Sequence, residues 1–175
     1  DEAGGPAFSW IDISETGTAA ITTGDDTNSG PFPIGFSFDF YGTTFTDFRV
    51  CTNGFMTFGS TLTAYTNAAL PNASAPGFLI APFWDDLNLG ATGSGDIYYE
   101  VVGGNLVVMY DGVMPYSSTN SGTGPFTFEV ILSPNGVITM QYLTLVGSPA
   151  SYTVGIQDGT GTVGLQVAYN TAYLH

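Results

Sequence analysis

Hydrophobic and polar positions alternate with period two through much of the chain. Phe36, Phe38 and Phe40 flank Ser37 and Asp39, and Phe126, Phe128, Val130 and Leu132 repeat the pattern. Such alternation sends successive side chains to opposite faces of a strand. Ser133-Pro134-Asn135-Gly136 then leads into a second alternating run at 137–142, and Asn-Gly accepts the positive φ that a hairpin turn needs. Gly103-Gly104 predicts another hairpin between strands at 96–102 and 105–110. Residues 79–84 form an apolar run stopped by Asp85, Asp86 and Asn88, which reads as a strand ending in a polar turn. Further strands are predicted at 8–13, 18–22, 44–50, 55–58, 152–157 and 165–169. About a dozen short strands with Gly and Pro punctuation, and no convincing helix, predict an all-β fold. The expected form is an antiparallel β-sandwich, jelly-roll-like, with a closed barrel as the alternative. Residues 60–77, rich in Ala, Asn and Pro, read as one long loop with a short helical turn near Ala68. No linker or internal repeat divides the chain, so residues 1–175 are expected to form a single domain. Phe36, Phe38, Phe40, Phe55, Phe58, Ile80, Phe83, Phe128, Val130 and Ile138 are the predicted continuous core.

Composition changes the picture at the surface. Only 9% of residues are charged, Arg49 is the one basic residue apart from His175, and the formal net charge is −14. The exposed faces must therefore be built from Thr, Ser, Asn and Gly, side chains suited to strands and turns. The charge disfavours nucleic acid and anionic lipid as partners. Lysine is absent, which fits exposure to extracellular proteases. Cys51 is the single cysteine, so an intrachain disulfide is excluded; it is expected to be a small buried hydrophobe in a strand. No apolar stretch is long enough to span a membrane, and the start at Asp1-Glu2 reads as a processed or excised product. Asn72-Ala73-Ser74 is a glycosylation sequon within the long loop.

Candidate chemistry is sparse. His175 is the sole histidine and the last residue, a poor base for a nucleophilic triad and a poor zinc ligand. Glycoside hydrolysis needs two carboxylates flanking one bond, and Asp85, Asp86, Asp96, Glu100 and Glu129 are the candidates. Calcium fits the residue types better. Asp85-Asp86-Leu87-Asn88 and Asp25-Asp26-Thr27-Asn28 each gather hard oxygen ligands in a turn, and Asp85, Asp86 and Asn88 are the predicted metal ligands. The plainer reading is that Asp and Asn stabilise turns by bonding their own backbone. Trp84, Tyr98, Tyr99, Tyr110, Tyr116 and Tyr142 could stack on a sugar, or could simply fill the core. Tyr98 and Tyr99 are neighbours and must face opposite sides of their strand.

Five segments carry a resemblance: Phe40–Phe45 (FYGTTF), Thr52–Phe58 (TNGFMTF), Ala81–Asn88 (APFWDDLN), Ile97–Glu100 (IYYE) and Gly164–Asn170 (GLQVAYN). Together they resemble nidogen-like extracellular domains and a related module of secreted and surface proteins of bacteria and some archaea. The resemblance covers nearly the whole chain and implies an extracellular β module.

The functional expectation is a non-enzymatic structural or adhesive subunit that self-associates, or joins sister modules, into a surface fibre or array. A glycan- or matrix-protein-binding accessory module, calcium-dependent or without a cofactor, is the alternative. The resemblance further implies that relatives often continue with another short apolar strand after residue 175. A sandwich short of that strand would leave an apolar cleft able to accept a strand from another molecule. Residues 6–14 have apolar positions on both faces; the plainer reading folds them back onto their own domain, and the other makes them the donor strand for the next molecule.

Overall fold

The computed structural model describes residues 7–116 and 123–174. Within them the chain forms β1 (Thr18–Ile21), β2 (Asn28–Phe40), β3 (Thr43–Cys51), β4 (Phe55–Thr57), β5 (Leu79–Trp84), β6 (Ile97–Val102), β7 (Asn105–Val113), β8 (Phe126–Leu132), β9 (Ile138–Leu145), β10 (Thr153–Gln157) and β11 (Gly164–Tyr169). Two sheets result, one of five strands in the order β1-β6-β7-β8-β9 and one of six in the order β11-β10-β5-β4-β3-β2. They pack face to face as an antiparallel sandwich. Each sheet is dominated by a run of sequential hairpins, β6 to β9 in one and β2 to β5 in the other.

Turn chemistry explains the hairpins. Tyr41 and Gly42 both take positive φ (47° and 76°), as do Gly103 and Gly104, which suits the two-residue turns whose twist matches the flanking strands. Gly54 follows Asn53 between β3 and β4 at φ 72°, and a Cβ there would stand 1.8 Å from the Phe83 carbonyl oxygen. Only glycine fits that contact, so the β3–β4 turn packs directly on the end of β5.

The inward faces of both sheets build the main core. Phe83 lies 4.7–5.5 Å, ring centre to ring centre, from Phe126, Phe128 and Tyr152, joining the two sheets. Tyr110 crosses from β7 to the other sheet, its hydroxyl 2.8 Å from the Cys51 carbonyl and 2.9 Å from that of Phe55. Of the predicted core, Phe38, Phe40, Phe58, Ile80, Phe83, Phe128 and Val130 are buried together, while Phe36 and Ile138 are half-buried at its margin. Phe55 is buried elsewhere. Its neighbour Met56 points inward, so the pleat sends Phe55 to the outer face of the six-stranded sheet, where it joins Cys51, Leu70, Ala75, Leu79, Ala81 and Trp84.

Two segments cover the outer faces. The loop 60–77 lies over the Phe55–Trp84 cluster and contains no helical turn near Ala68; the polar groups of its backbone bond to side chains of the sheet instead. The segment 7–13, which includes the strand expected at 8–13, runs over the five-stranded sheet without joining its ladder. Ile13 packs with Val107, Met109 and Ile131 there, and Trp10 and Ile11 lean on the same cluster. Tyr98 faces that outer cluster and Tyr99 the main core, as their adjacency requires.

Candidate functional site

The two long sides of the sandwich differ. At one side Tyr99 of the five-stranded sheet meets Phe32 and Phe48 of the six-stranded sheet at 4.8 and 5.6 Å, closing the gap between the sheets. At the other side the edges are β9 and β11, and each pairs on one flank only. Ile138, Met140 and Tyr142 of β9 stand opposite Leu132, Val130 and Phe128, which are core residues, so the pleat aims them at the interior. They are nevertheless only half-buried, because no described residue fills the space beside them. Across that space Val154 and Ile156 form part of the far wall, and Leu165 and Val167 of β11 remain 60% and 46% exposed. The result is a groove of about 740 Å³. Phe8 flanks it from the N-terminal segment, and Tyr173 and Leu174 line it from the C-terminal one. At its floor the Tyr142 hydroxyl donates to the Pro82 carbonyl (2.7 Å), tying the sheets together, and burial raises its pKa.

The edges bordering the groove lack two of the usual protections, although each carries one register shift. Neither β9 (ITMQYLTL) nor β11 (GLQVAY) carries a charge or a proline. The opposite edge strand β2 holds Pro31, Pro33 and Asp39 and breaks register twice. Proline, charge and bulges are the means by which edges avoid pairing with other chains.

A second site lies at one end of the sandwich, after β5. The turns at 25–28 and 85–88 meet there through a bridge between Asp25 and Asn88, and Leu89 and Gly90 both donate to the Gly24 carbonyl (2.9 and 3.1 Å). Carboxylate oxygens of Asp25, Asp26 and Asp86 lie within 4.8 Å of one another. Asn53 braces the group: its amide donates to Asp26 (2.7 Å) and its carbonyl oxygen accepts from the Leu87 N–H (2.9 Å). Burial, with the charges of Asp25, Asp26 and Asp85, pushes Asp86 up to about 6. Burial and Asp26 raise Asp25 as well. Three carboxylates this close, with Asp25 and Asp86 raised by burial and neighbouring charge, suit a divalent cation, with loop carbonyls able to complete an oxygen shell.

The predicted metal set is thus divided. Asp86 faces the cluster. Asp85 is buried and accepts instead from the Ser151 hydroxyl (2.8 Å) and the Asp86 N–H (2.9 Å). Asn88 donates its amide to Asp25 (3.2 Å) and so holds that carboxylate in place. The two remaining carboxylates come from the other acidic run, at 25–28.

The candidate hydrolytic carboxylates have separate local partners. Asp96 accepts from the Tyr98 hydroxyl (3.0 Å), Glu100 from Thr16 (2.6 Å), and Glu129 is fully buried beneath the N-terminal segment. The six aromatics do not share one surface: Trp84 and Tyr110 are buried, Tyr98 and Tyr99 face opposite ways, and Tyr116 is exposed. Cys51 is buried and its thiol is pushed up to about 12, mainly by desolvation, which makes it an inert hydrophobe. His175 lies outside the described residues. No helix among the described residues is long and apolar enough to cross a membrane.

Neither the curated proteins nor the solved structures contain a match to this chain. The family model described as NIDO related matches residues 3–175, the length over which the sandwich and both sites are built, and the chain belongs to that family of nidogen-like extracellular modules.

Proposed function

We propose that this extracellular module is a non-enzymatic structural subunit that associates by taking an extended segment of another copy into the groove between β9 and β11. The inward-aimed but half-exposed row of Ile138, Met140 and Tyr142 carries this reading. An entering strand would cover that row and find backbone edges without charge or proline on both sides. Association at this place also suits a chain of net charge −14, because β9 and β11 bring no carboxylates into contact. The donor is a segment of a second copy, residues 6–14 being the first choice on their two apolar faces.

The test is light scattering and electron microscopy of the native protein beside Met140→Glu and Leu165→Glu, which place charge in the groove. Assemblies in the native protein that both folded variants lose would support the reading. A chain lacking residues 1–14 should fold, fail to assemble, and recover on addition of the matching peptide. Groove variants that assemble unchanged would overturn it.

The carboxylate cluster favours a second reading, a calcium-stabilised ligand-binding module. Asp86 is raised from 3.8 to about 6 in the folded chain, so its contribution to stability is complete below about 3.8 and is lost as pH rises through about 6. Without metal, melting temperature should fall across that window. Millimolar calcium should restore it, a chelator should reverse the gain, and Asp86→Asn should remove both the slope and the calcium response. Indifference to calcium would leave Asp25, Asp26 and Asp86 as turn formers only.

A further inference from the structure

The outer face of the five-stranded sheet holds a buried acid with no charged partner. Glu129 of β8 is fully buried, and its Oε2 has no hydrogen-bond partner among the described residues. Its Oε1 accepts from the Ile11 N–H (3.2 Å) and from the Gln141 amide (2.8 Å). Gln141, itself buried, also accepts from the Ser9 N–H (2.6 Å) and donates to the Ser9 carbonyl (2.8 Å). Three of these bonds attach residues 9–11, which join no ladder, and the fourth ties Gln141 to Glu129 within the sheet. It is therefore a strap laid over an acid, and the acid is part of its fastening.

We propose that residues 7–13 form a releasable strap, closed over the sheet while Glu129 is protonated and released when Glu129 ionises. An ionised carboxylate sealed from water without a cation is costly, and opening the strap hydrates it. The groups facing Glu129 offer no positive charge to compensate it. Met109 of β7 and Gln141 of β9 stand directly opposite and are neutral. Asp12 on the strap adds a negative charge, and Asp111 on β7 interacts with Asp12 in turn. Arg49 is on β3, in the other sheet, bonded to Asn28.

The direction of the pH response follows. Desolvation, outweighing the bonds from Ile11 and Gln141, lifts covered Glu129 from 4.5 to about 7. Closure is then strongest below about 4.5 and weakens as pH rises, the loss being complete above about 7. Ala7 and Phe8, at the start of the strap, line the groove, so release both clears one part of its wall and frees an apolar segment. That consequence rests on the association reading; the switch itself is read in a single chain and stands or falls separately.

The experiment is hydrogen–deuterium exchange of the full-length protein, following the amides of residues 8–13 against those of β7 and correcting for intrinsic exchange. Between about pH 5 and about pH 8 the strap should lose roughly 10- to 100-fold in protection while β7 does not. Glu129→Gln keeps the acceptor oxygen and cannot ionise, so it should hold the strap shut at both pH values. Asp12→Asn should keep the transition and move it only slightly to lower pH, since the Asp12 charge is the smallest of the causes that act on Glu129. A flat wild-type profile, a midpoint near the ordinary carboxylate range, or an equal loss in Glu129→Gln would overturn the proposal. The wild-type titration decides the question even where Glu129→Gln folds poorly.

Discussion

The two outer faces of the sandwich are covered by the same device built from different chemistry. Over the six-stranded sheet, the buried amide of Gln157 donates to the carbonyls of Asn72 and Pro76 (3.2 and 2.9 Å) and accepts from the Asn72 N–H (2.8 Å). Trp84 donates to Ala64, Thr153 to Ala68, and Gln166 accepts from the Leu70 N–H. Over the five-stranded sheet the corresponding job falls to Gln141 and the acid Glu129. An amide and a carboxyl group have nearly the same shape, but only one of them titrates. A cover held by amides is indifferent to pH. A cover held by an acid without a cation closes and opens with a proton.

The sharpest way to break this comparison is at Trp84. Its side chain fills the space between the Phe55 ring, 5.9 Å away, and the loop 60–77, and it is almost wholly buried. Trp84→Ala should cost on the order of 3–5 kcal/mol in urea denaturation through the cavity and the lost bond to Ala64. Trp10→Ala on the strap should change global stability by less than about 1 kcal/mol, because Trp10 is only half-buried and its segment can leave without unfolding the sheets. Equal losses would mean that the two covers are equally integral to the fold.

A smaller effect tests the chemistry directly. Gln157→Glu places an acid where Asn72 and Pro76 present carbonyl oxygens. Protonated, it can still donate to one of them; ionised, it faces them with no donor. The variant should approach wild-type stability at low pH and lose about 1–3 kcal/mol by neutral pH. It would turn the permanent cover into a titrating one, the reverse of Glu129→Gln. A pH-independent loss would show that shape, and not charge, decides how the loop is held.

What could be read from the chain beforehand divides along the same line. Strands such as β8 were legible because Phe126, Phe128, Val130 and Leu132 repeat with period two and end at a strong turn. The first half of β2 was hidden by Pro31 and Pro33, which break a central strand but are tolerated at an edge. Phe55 was assigned to the main core because its strand has only three residues, too few for alternation to settle the phase. The carboxylate cluster was visible as two acidic turns, but their meeting depends on the pairing of Asp25 with Asn88, distant in sequence. Glu129 occupies the polar phase of β8 and reads as solvent-facing. Its burial is a property of the strap, and 8–13 has a strand-like pattern that says nothing of which surface it crosses.

The finest distinction concerns Gln141. Its amide donates to Glu129 Oε1, a bond that favours the ionised acid and partly offsets the desolvation that raises Glu129 to about 7. Gln141→Leu removes that donor and both bonds to Ser9 while keeping the volume near the same. Closure should weaken modestly at every pH, since Ser9 loses its partners. The pH midpoint of strap opening should also move upward, because the covered carboxylate loses a donor and resists ionisation more. Exchange of the Ile11 amide against pH measures both at once, the plateau at low pH reporting the lost bonds and the midpoint reporting the acid. A midpoint that stays in place or moves down would mean that Gln141 fastens the strap without tuning Glu129, and the two polar residues would then act as separate anchors instead of one titrating pair.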